Sequence, residues 1–209
     1  MQPGPPTKNK ASTMTETNDS HLPLPKGGPR AFHIVLIGPM CSGKSAVARE
    51  LSMLSGQPWT DLDAEFVSEH GPIPAFIEQH GFEAFREAES VIFERALNQS
   101  EPKIIATGGG VVLAEANRAL LTDQVAFWLD VSPQAVAARM RGGANRPLLA
   151  GDDPLDTWKS IRAERTPLYR ECGIGPIDTS ASSPREVARA LQCMLDDAST
   201  TDPASVKDS

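Results

Sequence analysis

Residues 32–45, FHIVLIGPMCSGKS, decide how the rest of the chain is read. Phe32–Ile37 is an apolar run that stops at a glycine, as a buried strand does. Gly38 to Ser45 then match G-x-x-x-x-G-K-[ST], and Ser45–Leu54 continues with helical spacing. A strand, a glycine-bearing loop and a helix in that order are the context a phosphate-binding loop requires. Successive backbone N–H groups and the helix N-terminus make a nest for anions, here across Gly38, Cys41, Ser42, Gly43 and Ala46. Lys44 is then placed to reach the β and γ phosphates, and the Ser45 hydroxyl to ligate Mg²⁺. A nucleoside triphosphate is the expected ligand.

The same pattern of short apolar runs and longer helical segments recurs outward from this stretch. Trp59–Leu62, Lys103–Thr107, Gln124–Val131 and Gly175–Thr179 are further strand candidates. Residues 73–98 read as two helices broken near Gly81, and 114–122, 133–141, 154–170 and 184–196 read as helices. Ser132-Pro133 and Ser183-Pro184 each supply an N-cap followed by proline at the first helical position. Strands alternating with helices imply parallel βαβ crossovers. The expected fold is therefore α/β, a three-layer α/β/α P-loop domain with a five-stranded parallel sheet.

Composition bounds the partners. The chain has 209 residues, 40% apolar and 22% charged, with a net charge of −7. Residues 1–30 and 197–209 are rich in Pro, Gly, Ser and Thr and are expected to be disordered, leaving 31–196 as the folded domain. The tails carry +4/−2 and +1/−3, which cancel, so the domain holds the whole −7. That balance argues against a nucleic-acid or anionic-membrane surface. Three scattered cysteines, Cys41, Cys172 and Cys193, show neither a disulfide framework nor zinc spacing. There is no apolar run of roughly 18 residues or more and no signal-peptide core, so a cytoplasmic location is expected.

Several further clusters carry chemistry. Asp61 and Asp63 of TDLD end the second strand candidate, where open α/β sheets bind ligands. Read as extended chain, residues two apart face one side, so one acid could order Mg²⁺ through water while the other accepts a hydroxyl proton. Gly81–Glu89 reads GFEAFREAE; Thr107 precedes Gly108-Gly109-Gly110; Arg146-Pro147-Leu148-Leu149 is followed by Arg165-Thr166-Pro167-Leu168-Tyr169. Three successive glycines suit a backbone that must approach a ligand closely. Asp130 ends VAFWLD in the manner of a metal-binding strand, but no glutamate follows it, so it reads as a strand-end residue. No guanine-reading NKxD occurs in the later half.

In this order, the phosphate loop, DxD, GxxxFRxxE, GGG, RPLL and RxPLY make the chain resemble the shikimate kinase family over about 32–196. The resemblance implies a mobile lid at about 139–153 and assigns roles by position. Lys44, Asp63 and Arg146 are the catalytic set, with Arg146 folding over the nucleotide. Asp63, Arg86, Gly108, Gly109, Gly110 and Arg165 are the shikimate site, the two arginines clamping the carboxylate. Ser45, and Asp61 through water, hold Mg²⁺. Arg139 or Arg141 and the segment near Pro184 are the adenine candidates. Many family members have glycine where this chain has Cys41; a Cβ there either crowds the loop or is tolerated where φ is negative. ATP and shikimate are the implied partners, with Mg²⁺ as cofactor and a monomeric chain. Two alternatives stay open: a related kinase of aminoshikimate or gluconate, and a noncatalytic nucleotide-binding relative.

Overall fold

The β1 strand, Ile34–Ile37, is wholly buried and lies at the centre of the sheet. In the computed structural model, which describes residues 32–140 and 153–200, five parallel strands stand in the order β2-β3-β1-β4-β5. The others are β2 (Trp59–Asp61), β3 (Ile104–Ala106), β4 (Val125–Asp130) and β5 (Ile174–Asp178). The helices are α1 (Lys44–Ser55), α2 (Leu62–His70), α3 (Ile73–Leu97), α4 (Glu115–Leu121), α5 (Pro133–Met140), α6 (Pro154–Cys172) and α7 (Pro184–Thr200). Helix α3 is two helices across a break at Gly81, whose φ of 88° and ψ of 167° are not helical.

Side chains alternate across a strand, and β1 shows what that does to the core. Ile34 and Leu36 pack with Val47, Ala48 and Leu51 of α1 and Val187 and Leu191 of α7 on one face. Val35 and Ile37 pack with Ile92 and Phe93 of α3 and Tyr169 of α6 on the other. Those two faces are the outer layers of the three-layer sandwich. A third small cluster, Val131, Val136 and Trp158, sits beyond the C-terminal end of β4.

Local signals start the helices as expected. Ser183 and Glu186 form a capping box: the Glu186 N–H donates to Ser183 Oγ (3.3 Å), and the Ser183 N–H donates to Glu186 Oε2 (2.7 Å). The Ala135 N–H donates to Ser132 Oγ at 3.3 Å. Two details differ from expectation. Helix α2 begins at Leu62, directly after β2, where an extended stretch was expected. Helix α7 runs to Thr200 rather than ending at 196, because Ala198 is buried against the α1–α7 face. Of the tryptophans, Trp128 and Trp158 are core residues, while Trp59, on the edge strand β2, is 38% exposed. Among the described residues no helix is long and apolar enough to cross a membrane.

At the opposite end of the sheet, His33 ties three elements together. Its Nδ1 accepts from the Lys103 N–H (3.2 Å), so Nε2 carries the proton donated to Leu97 O (3.1 Å). Burial, helped by the charge of Lys103, holds His33 below its usual 6.5, against the backbone acceptors Leu97 and Gln99. The unfolded chain therefore takes up a proton that the folded chain refuses. This contribution to stability is full above pH 6.5 and is lost as the pH falls from there through the folded pKa. Thermal unfolding followed from pH 7.5 downward should show a steeper loss for the natural chain than for His33→Gln. Parallel curves would contradict this role for His33.

Candidate active site

The phosphate loop leaves β1 through Gly38, whose φ is +137°. A Cβ there would lie 2.0 Å from the Leu129 carbonyl oxygen, so only glycine allows the exit beside β4. Gly43, at φ 89°, starts α1. Between them Cys41 has φ +67°, the left-handed region. Tolerance through a negative φ is thus not how this chain accommodates a Cβ; Cys41 carries a cost of roughly 1 kcal/mol relative to glycine.

Each carbonyl of the loop is held. Lys44 Nζ donates to Gly38 O (2.8 Å) and Pro39 O (2.9 Å). Trp158 Nε1 donates to Met40 O (2.9 Å), Arg139 Nη1 to Cys41 O (2.6 Å) and Thr179 Oγ1 to Ser42 O (2.9 Å). In a trans peptide the carbonyl and the following N–H point opposite ways. Holding the oxygens therefore fixes the peptide planes of the loop, in which Pro39 has no N–H and that of Ser42 donates to Pro39 O (3.3 Å).

That cleft, about 720 Å³, runs from Gly43–Ala46 across Gly108–Gly110 to Arg86 and Arg165. Arg86, from α3, pairs with the buried Glu89 one helical turn on, and stacks over Phe82 (4.7 Å) and Phe85 (4.9 Å). Burial pushes the Glu89 carboxyl up from its ordinary value; Arg86 opposes this and Asp63 adds to it. Arg165, from α6, is buried and donates through Nη1 to Gly109 O (3.0 Å), which also accepts from Tyr169 Oη (2.5 Å). Burial drives the Tyr169 hydroxyl up to about 12, so it remains a donor.

The glycines explain how two helices and the phosphate loop meet. A Cβ on Gly108 would lie 2.3 Å from Glu89 Oε1 and 2.9 Å from Asp63 Oδ1, so both carboxylates converge on that backbone. One on Gly110 would lie 2.1 Å from Arg86 Nη1, while one on Gly109 would meet Met40 N at 3.3 Å. The triple glycine is thus a seam between the acidic pair, the arginine and the loop.

Most residues named from the sequence come together here. Cys41, Gly43, Lys44, Ser45, Ala46, Asp63, Arg86, Gly108, Gly109, Gly110 and Arg165 line one cleft. Gly38 and Ser42 are buried beneath it rather than lining it. The geometry expected for the DxD pair is corrected. Asp61 ends β2 and caps α2, its Oδ1 accepting from the N–H groups of Asp63 (3.0 Å) and Ala64 (3.2 Å); Asp63 lies in the first helical turn. Only Asp63 of the pair lines the cleft. Asp130 is held by Arg162, whose Nε donates to Oδ1 at 2.9 Å, which accords with a strand-end role. Arg139, an adenine candidate, holds the loop and donates through Nη2 to Thr179 O (2.5 Å). Arg146, Arg141 and the span 141–152 of the expected lid lie outside the described residues. Glu89 and Tyr169, the last residues of the GxxxFRxxE and RxPLY motifs, were given no role of their own, nor were Trp158 and Thr179. For Glu89 the signal was its spacing of three from Arg86; for Trp158 and Thr179 none is local in sequence.

A phosphate loop on the central strand, facing an arginine-lined pocket on the same cleft, defines a P-loop kinase of the small-molecule type. The family model for shikimate kinase matches residues 40–196. A shikimate kinase of Nitrobacter winogradskyi is 41% identical over 143 residues, which cover 68% of this chain and 66% of that protein. One of Xanthomonas euvesicatoria pv. vesicatoria is 37% identical over 79% of this chain and 92% of its own. The structure of shikimate kinase from Acinetobacter baumannii in complex with shikimate superposes with a TM-score of 0.74 at 31% identity, covering 79% of this chain and 94% of that one. The chain belongs to the shikimate kinase family.

The seam predicts an unequal response to added methyl groups. Gly108→Ala and Gly110→Ala should each cost about 1–3 kcal/mol of folding stability, and Gly109→Ala under about 1. Urea unfolding measures all three, and a largest loss at Gly109 would contradict the packing described.

Proposed function

We propose that this chain transfers the γ-phosphoryl group of ATP to the 3-hydroxyl of shikimate, giving shikimate 3-phosphate and ADP. The observation that carries the reading is that Lys44 of the phosphate loop and the Arg86/Arg165 pair face one cleft across Gly108–Gly110. One end offers a cradle for phosphate, and the other a pair of planar cations suited to a carboxylate.

In this reading Arg86 and Arg165 clamp the acceptor carboxylate, with Glu89 and the Gly109 carbonyl holding the two guanidinium groups in place. That leaves the acceptor hydroxyl beside Asp63. As the new O–P bond forms and the bond to the ADP oxygen breaks, the Asp63 carboxylate takes the hydroxyl proton. Lys44 exchanges its carbonyl partners for phosphate oxygens, and Arg146 adds charge at the transferred group.

Magnesium fits the donor set in a limited way. Ser45 lines the cleft next to Lys44, whereas one oxygen of Asp61 is committed to capping α2. Among the described residues no cluster of three His, Cys, Asp or Glu is poised for a metal. Ser45, with Asp61 through water, would hold the ion, the phosphates supplying most other ligands, as is usual for Mg²⁺. Bound there, it neutralises phosphate charge.

ADP release measured with ATP alone, then with shikimate, aminoshikimate or gluconate, tests the assignment. Turnover should depend on shikimate and exceed that with the other two. ATP binding without shikimate-dependent turnover would contradict a kinase and favour a noncatalytic relative. Asp63→Asn should lower kcat about a hundred- to ten-thousand-fold with little change in ATP affinity. Arg86→Ala should raise the shikimate KM by about tenfold or more, leaving that for ATP near its natural value. An unchanged shikimate KM would remove Arg86 from the clamp.

A further inference from the structure

One of the groups holding the phosphate loop lies in neither the motif nor the cleft. Trp158, on the second turn of α6, is 1% exposed, and its indole N–H donates to the Met40 carbonyl at 2.9 Å. Its ring sits in the cluster of Val131 and Val136, with Met40 and Cys41 packed against it. The Arg162 guanidinium lies 5.9 Å over the ring and is itself held by Asp130 at the end of β4. The indole is therefore fixed to the sheet rather than to the loop it contacts.

The residue after Met40 is Cys41, the one non-glycine residue at positive φ among those described. We propose that Trp158 is a positioning residue for the nucleotide phosphates: its N–H fixes the Met40–Cys41 peptide, and so keeps Cys41 in the left-handed conformation the loop needs. The inference rests on the nucleotide reading above. A donor on a carbonyl oxygen resists rotation of that whole peptide plane, which sets ψ of Met40 and φ of Cys41 together. A residue with a Cβ leaves the left-handed region when released, whereas glycine occupies it readily. The consequence is specific: Trp158 matters because position 41 is Cys, and matters less when it is glycine.

Calorimetric titration of the full chain with ADP tests this on the natural protein, Trp158→Phe, Cys41→Gly and the double variant. Trp158→Phe should bind ADP about five- to tenfold more weakly. The double variant should bind within about twofold of Cys41→Gly alone. Shikimate affinity, read in parallel, should stay within about twofold, which a general loosening of the domain would not allow. Equal ADP affinity in Trp158→Phe and the natural chain would overturn the proposal, and so would an equal loss whether position 41 is Cys or Gly. No ADP binding by the natural chain would overturn the nucleotide reading, and this inference with it. Should Trp158→Phe fail to fold, β-(benzothiophen-3-yl)alanine incorporated for tryptophan keeps the ring and removes the N–H. The Trp128 N–H has no partner among the described residues and Trp59 is 38% exposed, so the lost bond is that of Trp158. The same weakening of ADP binding is expected, and unchanged affinity would overturn the proposal.

Discussion

A peptide group cannot turn its carbonyl and its amide the same way, and the phosphate loop is built on that constraint. Gly38 through Ser42 present five successive carbonyl oxygens, and each is held by a side chain. Three of the holders, Arg139, Trp158 and Thr179, come from the second half of the chain, from α5, α6 and the residue after β5. The sheet and the helices beyond β4 thereby fix the peptide planes of the loop. The loop's shape is thus a property of the complete domain, although its sequence signature spans only eight residues.

The same economy explains how a domain of net charge −7 handles anions. No basic surface is needed when Lys44, Arg86 and Arg165 converge on one cleft and the loop adds amide dipoles. Nearby negative charge is used to hold the cations. Glu89 is buried against Arg86 and pairs with its guanidinium, so it presents no second exposed carboxylate beside Asp63. The triple glycine lets these groups approach, since a Cβ at 108 or 110 would occupy the space of Glu89 or Arg86.

Much of this was legible in the sequence, and the failures have physical causes. The five parallel strands, the break at Gly81 and the family membership follow from apolar runs, glycines and ordered motifs, each a local feature. The placement of Asp61 and Asp63 did not, because a two-residue spacing reads as one face only in an extended chain. Asp61 is also a good N-cap, and the helix it starts moves Asp63 alone into the cleft. Cys41 could be recognised as unusual but not as left-handed, since φ depends on who holds the adjoining carbonyls. The contacts of Trp158, Tyr169 and Thr179 were invisible for the same reason, although Tyr169 closes the RxPLY motif: their partners lie 118, 60 and 137 residues away.

In the proposed reaction one cleft brings the phosphate loop and the arginine pair to bear on a single phosphoryl transfer. A crystal structure of the full chain with ADP, Mg²⁺ and shikimate tests this. The nucleotide phosphates should lie on the amides of Gly43–Ala46 with Lys44 turned to them. The shikimate carboxylate should lie between Arg86 and Arg165, with a ring hydroxyl on Asp63. Shikimate bound with its carboxylate away from both arginines, or phosphates held elsewhere than on the loop, would contradict it.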